Sequence, residues 1–239
     1  MKTARFLILL LIAISVISCS PNYYIPNSHN VPLLSEKGEF AATAAAREGQ
    51  ADIQATYAVG DHVGIMANSA FFFPKEKDGN GGSGRYFEAG AGYFTPVSSN
   101  GFIFETYGLL GVGSMENHFT SSDDQNNRGR IEAQLFRAGV QPAIGYKSEY
   151  FSAAISTRLA YLNYSSVEGD LIFDQTDQIR YLQDHNNHLL FEPALTLRGG
   201  LEKIKLQLQI GTSINLSHSD FRQGKEFLTL GLLLNLPGN

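Results

Sequence analysis

The stretch KIKLQLQIGTSINLS, residues 203–217, decides the fold. Ile204, Leu206, Leu208, Ile210, Ile214 and Leu216 fall on one face, and Lys203, Lys205, Gln207, Gln209, Ser213 and Asn215 on the other. A period of two sustained this long is a β-strand with one apolar and one polar face. EFLTLGLLLNL follows, with Leu228, Leu230, Leu232, Leu234 and Leu236 aligned. Working back along the chain gives HLLFEPALTLRG (188–199), FSAAISTRLAYLN (151–163), RIEAQLFRAGVQPAIGY (130–146) and GFIFETYGLLGVG (101–113). Before them come RYFEAGAGYF (85–94), HVGIMANSAFFF (62–73), ADIQATYAV (51–59) and EFAATAAAR (39–47). Alternation therefore predicts about ten strands. The phase slips near Leu135–Phe136, which predicts a bulge there.

The connections alternate in length. Residues 74–84, 115–129, 165–187 and 218–225 are long and polar; those near Gly60, 96–100, 147–150 and 199–202 are short. Long loops then gather at one end and tight turns at the other, with only the first hairpin, around Gly49, short at the long-loop end. Twenty-four glycines and 27 Tyr plus Phe, without tryptophan, fit β structure.

Which face meets solvent follows from the side chains. The polar faces carry small residues (Gly90, Gly92, Gly111, Gly139, Ala154) that suit a crowded concave interior. They also carry charges of both signs: Glu88, Glu105, Glu132, Arg137, Arg158, Glu192 and Arg198. A charge facing lipid at the bilayer midplane costs roughly 2–4 kcal/mol, and the apolar faces have none. Loop alternation and aromatics near strand ends complete the pattern of a membrane barrel. The expected fold is an all-β, antiparallel, up-and-down transmembrane β-barrel of about ten strands. Its lumenal charges are read as a paired polar core, because a barrel near this size is nearly filled by side chains. The alternative inside-out reading is a soluble ligand-binding barrel.

The first eighteen residues read as a secretory signal, with Lys2 and Arg5 ahead of an apolar run from Phe6 to Ile17. It ends Val16-Ile17-Ser18-Cys19, which resembles the bacterial lipobox; Cys19 is the chain's one cysteine, so no disulfide forms. The resemblance implies that Cys19 becomes an acylated N-terminus, and several acyl chains anchor firmly because each buried methylene adds about 0.8 kcal/mol. Ser20 in place of Asp implies passage to the outer membrane, and no acidic run follows to signal export to the surface. The expected organisation is signal 1–18, anchor and tether 19–38, barrel 39–239, with the proline-containing tether a candidate plug. With NVPLLSEKGEF ahead of the first strand, the whole chain resembles the small outer-membrane β-barrel lipoproteins of Bacteroidetes-type Gram-negative bacteria. It departs from common outer-membrane barrels in ending LLLNLPGN rather than with an aromatic residue. An even strand number puts both barrel termini at the short-turn end. The expected location is the outer membrane, with the Cys19 anchor in the periplasmic leaflet and the long loops extracellular.

Chemistry is sparsely signalled. Residues 19–239 carry 16 Lys plus Arg (18 less Lys2 and Arg5) against 23 acidic residues, a net −7 that argues against a nucleic-acid partner. His218-Ser219-Asp220 with Asp123 and Asp124 could activate water, and Ser217 beside His218 could serve acyl chemistry. The acidic residues of 165–187 match no calcium loop. His185 and His188 lack a third metal ligand, and GNGGSG (79–84) is a loop tip, not a phosphate loop. The expectation is a barrel that is not an enzyme, has no cofactor or metal, and acts structurally or through its loops. A narrow channel or transport accessory, the tethered soluble barrel, and a protease or lipid-modifying enzyme are the alternatives. Expected partners are outer-membrane lipid and the barrel-assembly and lipoprotein-sorting machinery, with the surface partner open.

Overall fold

The computed structural model describes residues 20–73, 79–97, 100–121 and 128–238. Ten long antiparallel strands close a barrel: β1 Phe40–Arg47, β2 Gln50–Ala58, β3 Val63–Phe72, β4 Gly81–Pro96, β5 Phe102–Thr120, β6 Arg128–Lys147, β7 Phe151–Gly169, β10 Asn187–Gly200, β11 Ile204–Thr212 and β13 Glu226–Leu236. Between β7 and β10 lie a two-strand hairpin, β8 Ile172–Phe173 and β9 Thr176–Asp177, and a short helix, α1 Gln178–Asp184. A two-residue strand, β12 Ile214–Asn215, continues the pairing of β11 with β10. The seam closes where Phe40 pairs with Leu236 and Ala46 with Leu230. Each strand expected from alternation is present. The antiparallel up-and-down barrel is the fold, and it is of the outer-membrane type.

The lower part is a belt built for lipid. Leu206, Leu230, Leu110, Ile155 and Val112 point outward and are each about 60% exposed or more, while Gln209, Arg158, Glu105 and Thr229 point inward and are buried. On β7 the outward apolar series runs from Phe151 to Tyr161. At about 3.3 Å per residue and a tilt near 40°, that is roughly 25 Å of height, the usual apolar band of a membrane barrel.

Above the belt β4–β7 continue into what sequence assigned to loops, and the polarity of the faces inverts. On β5, Ser114, Glu116, His118 and Thr120 now share the outer face, while Met115 and Phe119 point inward and are buried. On β6 the outer series Phe136, Val140, Ile144 gives way to Arg130, Glu132 and Gln134, and Ile131, Ala133 and Leu135 turn inward. The expected bulge at Leu135–Phe136 is corrected: in–out alternation runs through it unbroken, and the apparent slip is the change of surroundings. The register irregularity of β6 against β7 lies between Glu132 and Gln134. Glu132, expected in the lumen, is on the outer face beside Arg130, which also approaches Glu116 Oε1 at 3.1 Å. GNGGSG is likewise not all loop tip, because its last four residues open β4.

The interior is filled by the segment before β1. Residues 23–34, all buried but Ile25, descend the lumen parallel to β2. Tyr24 bridges Gln223 at the long-loop end, and the Gly224 N–H donates to the Tyr24 carbonyl at 2.8 Å. Farther down, the Ser28 N–H donates to Asp52 Oδ2 (2.9 Å), the Asn30 amide donates to Thr56 Oγ1 (2.9 Å), and the Leu33 N–H donates to Glu105 Oε2 (3.0 Å). At the short-turn end the Gly38 N–H donates to the Ala58 carbonyl, 2.9 Å away. Strand glycines make room for this thread: a Cβ on Gly145 would lie 2.8 Å from Leu33 Cδ2, and one on Gly64 2.9 Å from Leu34 Cδ1.

Candidate functional site

The charged residues expected in the lumen divide into two sets. Glu88, Glu105, Arg137, Arg158, Glu192 and Arg198 lie inside and buried, and Glu132 does not. Arg137 Nη2 donates to Glu88 Oε2 and to Asn27 Oδ1, each at 2.8 Å. Arg158 Nη1 approaches Glu192 Oε2 at 3.3 Å and donates to the same Asn27 oxygen at 3.0 Å. The Tyr24 hydroxyl accepts from Arg137 Nη1 (2.5 Å) and donates to Glu192 Oε1 (2.9 Å). Two thread residues, Tyr24 and Asn27, thus join two ion pairs into one network. Buried charge is tolerated where it is paired and hydrogen-bonded, and breaking one partner costs about 3–5 kcal/mol. Glu105 receives the thread's backbone, and Arg198 Nε donates to Gln207 Oε1 at 2.8 Å.

At the long-loop end the crown forms a mouth with two halves. One half is closed by a lid made from β8, β9, α1 and the 216–225 loop. Leu171, Leu182, Leu162, Leu190 and Phe221 are buried there with Tyr23 and Tyr164. The Tyr23 hydroxyl donates to Gln178 Oε1 (2.6 Å), and the Tyr164 hydroxyl donates to the Tyr23 carbonyl (2.7 Å). Asp177 caps α1 by accepting from the N–H groups of Ile179 and Arg180. Burial raises the Tyr181 phenol, keeping it a neutral packing group. The loop's acidic residues have structural partners: Asp170 Oδ1 accepts from the Arg130 N–H (2.8 Å), and Asp174 lies 3.8 Å from Arg222.

The other half is open. A cavity of about 830 Å³ lies between the start of the thread and β1–β6, lined by Tyr24, Gln50, Phe72, Tyr86, Asn117 and Phe119 among others. Its floor is Arg137, whose charge is matched by Glu88 and whose guanidinium carbon sits 4.4 Å from the centre of the Tyr86 ring. Gly111 admits that tyrosine: a Cβ there would meet its hydroxyl at 2.0 Å. Aromatic faces and amides around a charge-neutral floor can hold an uncharged polar molecule.

The structure also assembles a histidine group that sequence showed only in part. His185 and His188 are joined by His218, whose ring centre is 4.9 Å from the first and 5.3 Å from the second. His188 Nδ1 meets the Asn215 amide at 3.0 Å, while His188 Nε2 and His218 Nδ1 are buried with no hydrogen-bond partner. Among the described residues no three His, Cys, Asp or Glu side chains are arranged to hold a metal ion. Ser217 Oγ accepts from the Leu189 N–H at 2.9 Å, which ties it to the start of β10. The Ser219 hydroxyl donates to Asp220 Oδ1 at 3.3 Å. Asp123 and Asp124, the other half of the alternative protease arrangement, and Cys19 lie outside the described residues.

No family model and no curated protein sequence matches the chain. Among solved structures it is similar to LpxR from Salmonella typhimurium, with a TM-score of 0.37 and 8% identity over 83% of this chain and 99% of that one. The likeness is one of barrel architecture, and no residue role is carried across. It corrects one expectation: LpxR is an outer-membrane enzyme, so the reading of this barrel as a non-enzyme does not stand.

Proposed function

We propose that this protein is a lipid-anchored outer-membrane barrel, plugged by its own N-terminal segment, that binds a small uncharged polar ligand in the open half of its mouth. The observation that carries the reading is the contrast within the interior. Thread and ion pairs occupy the belt, yet about 830 Å³ remains open at the rim, lined by aromatic rings and amides together with Arg47, Glu48 and Glu116, charges of both signs. That volume is within the usual range for ligand pockets. The same contrast speaks against the channel alternative, because the lumen is occupied along the belt by residues bonded to its wall. Long loops outward and acylation at Cys19 complete the proposal, supported by the loop asymmetry and the lipobox resemblance.

The test is thermal unfolding of the full-length protein in detergent with a panel of neutral saccharides and short uncharged peptides. A ligand should raise the unfolding midpoint of the wild type and leave Met115→Trp, which fills the cavity, unmoved. If no member of the panel shifts the wild type, the reading fails.

A second reading is hydrolytic, favoured by one observation: two imidazoles, their ring centres 5.3 Å apart at the lid, each hold a buried nitrogen without a hydrogen-bond partner. His218 Nδ1 could take a proton from water, while His188, whose Nδ1 accepts from the Asn215 amide, carries its hydrogen on Nε2 and could only donate. Comparing outer-membrane lipid profiles of wild type, a deletion strain, and His188→Asn with His218→Asn tests it. Identical profiles in all of them remove the lipid-hydrolysis reading.

A further inference from the structure

A chain that begins its barrel at the short-turn end would ordinarily leave its preceding segment at that end. Here it does not. Gly38 is bonded to Ala58 at the short-turn end, whereas Tyr23 donates its N–H to the Arg222 carbonyl at 2.9 Å in the β12–β13 loop. Between these points the thread meets β2 in order: Pro26 beside Gln50, Ser28 beside Asp52 and Gln54, Asn30 beside Thr56. Each step of two in the thread matches a step of about two in the strand, so the segment is extended and makes one pass. Asn22, exposed, accepts through its carbonyl from the Asn117 amide at 3.0 Å in the crown. Ser35, Glu36 and Lys37 are exposed at the other end. Leu236, the last barrel residue, pairs with Phe40 there.

We infer that the barrel delivers its own N-terminus across the membrane: the chain before β1 passes once through the lumen, so residue 20 and the end of the barrel lie on opposite sides. The expected arrangement, a Cys19 anchor in the leaflet opposite the long loops, is incompatible with this path. Ser20 lies at the rim of the mouth, and one peptide unit reaches only about 3.8 Å, against a band roughly 25 Å high. A lipid on residue 19 is therefore held in the leaflet that the long loops face. No acidic export signal is needed, because the folded barrel itself fixes the side. The leaflet assignment rests on the lipoprotein reading of residues 1–19; the single pass of the thread does not.

Single introduced cysteines test it in the full-length protein in the outer membrane of intact cells, with a membrane-impermeant maleimide before and after permeabilisation. Ser219→Cys marks the long-loop side and Glu149→Cys the short-turn side, which fixes orientation independently. Asn22→Cys is expected to label with Ser219→Cys, and Lys37→Cys with Glu149→Cys. If Asn22→Cys labels with Glu149→Cys, or both thread positions label from one side, the inference is overturned. If the two markers exchange sides but Asn22→Cys still follows Ser219→Cys, the thread stands and the loops-outward reading fails. The wild type reports on the anchor: an acylated Cys19 has no thiol to label, so a labelled wild type overturns the leaflet assignment while leaving the pass intact.

Discussion

The belt and the crown of this barrel use one backbone for two solvents. On β7 the odd residues face out and the even residues face in from Phe151 to Ser165, across the boundary between belt and crown. In the belt the outer series is Phe151, Ile155, Leu159 and the inner one Ser152, Ser156, Arg158; in the crown the outer residues are Asn163 and Ser165 and the inner ones Leu162 and Tyr164. The exchange occurs at one height on neighbouring strands, since Val112 pairs with Phe136 and Phe136 with Asn163. Alternation therefore specifies a strand, while the parity that carries the apolar residues specifies what surrounds it. The crown is built like a water-soluble β protein, apolar inside, standing on a membrane protein built the other way round.

The strongest way to break this comparison is to disturb the polar interior of the belt. Arg137→Ala leaves Glu88 and Glu192 with less compensation and removes two bonds to the thread. It is expected to cost about 3–5 kcal/mol, read as a lower unfolding midpoint in detergent and loss of the unheated-gel mobility shift typical of closed barrels. The apolar interior of the crown should fail by a different mechanism. Leu162→Ala empties a fully buried site and is expected to cost about 2–4 kcal/mol through lost burial and a cavity, with the same readouts but no dependence on salt. The outer faces sharpen the contrast within a single strand. Val140→Arg, in the belt, should cost about 2–3 kcal/mol in lipid, whereas Gln134→Arg, six residues earlier on the same outer face, should change stability by less than about 0.5 kcal/mol. Equal effects at the two positions would mean that the belt ends elsewhere. The smallest effect is expected for Glu132→Ala. Its pairing with Arg130 is half exposed, such pairs contribute about 0–1 kcal/mol, and a shift within error would separate it from the buried glutamates.

The belt was legible in the sequence because lipid enforces a strict rule on alternate residues: KIKLQLQI and EFLTLGLLL admit one reading. The crown was not, for the same reason. SMENHFT alternates as regularly as the belt strands, but its outer series is Ser114, Glu116, His118, Thr120, and such composition reads as loop. Glu132 falls in the lumen only if the polar face is taken as the inner one past the point where the surroundings change, which is what a phase slip at Leu135–Phe136 implies; unbroken parity puts it outside. Among candidate site residues, the six lumenal charges followed from parity alone. Their partners did not, because Asn27 and Tyr24 reach them from more than a hundred residues away. The thread left a faint trace, a proline-containing run without period that is nonetheless rich in Tyr, Asn and Leu. The His218 contact with His185 and His188 needed the lid's fold, which no local pattern encodes.

The thread also bears on the order in which the molecule comes together. Its bonds to β2 join residues 24 to 26 apart in sequence, while those to β6, β7 and β11 span 111, 131 and 180. Short closures cost less chain entropy than long ones, which favours laying the thread and the first hairpin down together before the later strands are added around them. The last pairing, β13 onto β1, then shuts a ring around a filament already in place. A ring closed first would have to admit Tyr23, Tyr24 and whatever residue 19 carries through a bore occupied by arginines. That order wraps the wall round the core rather than threading the core through a finished wall.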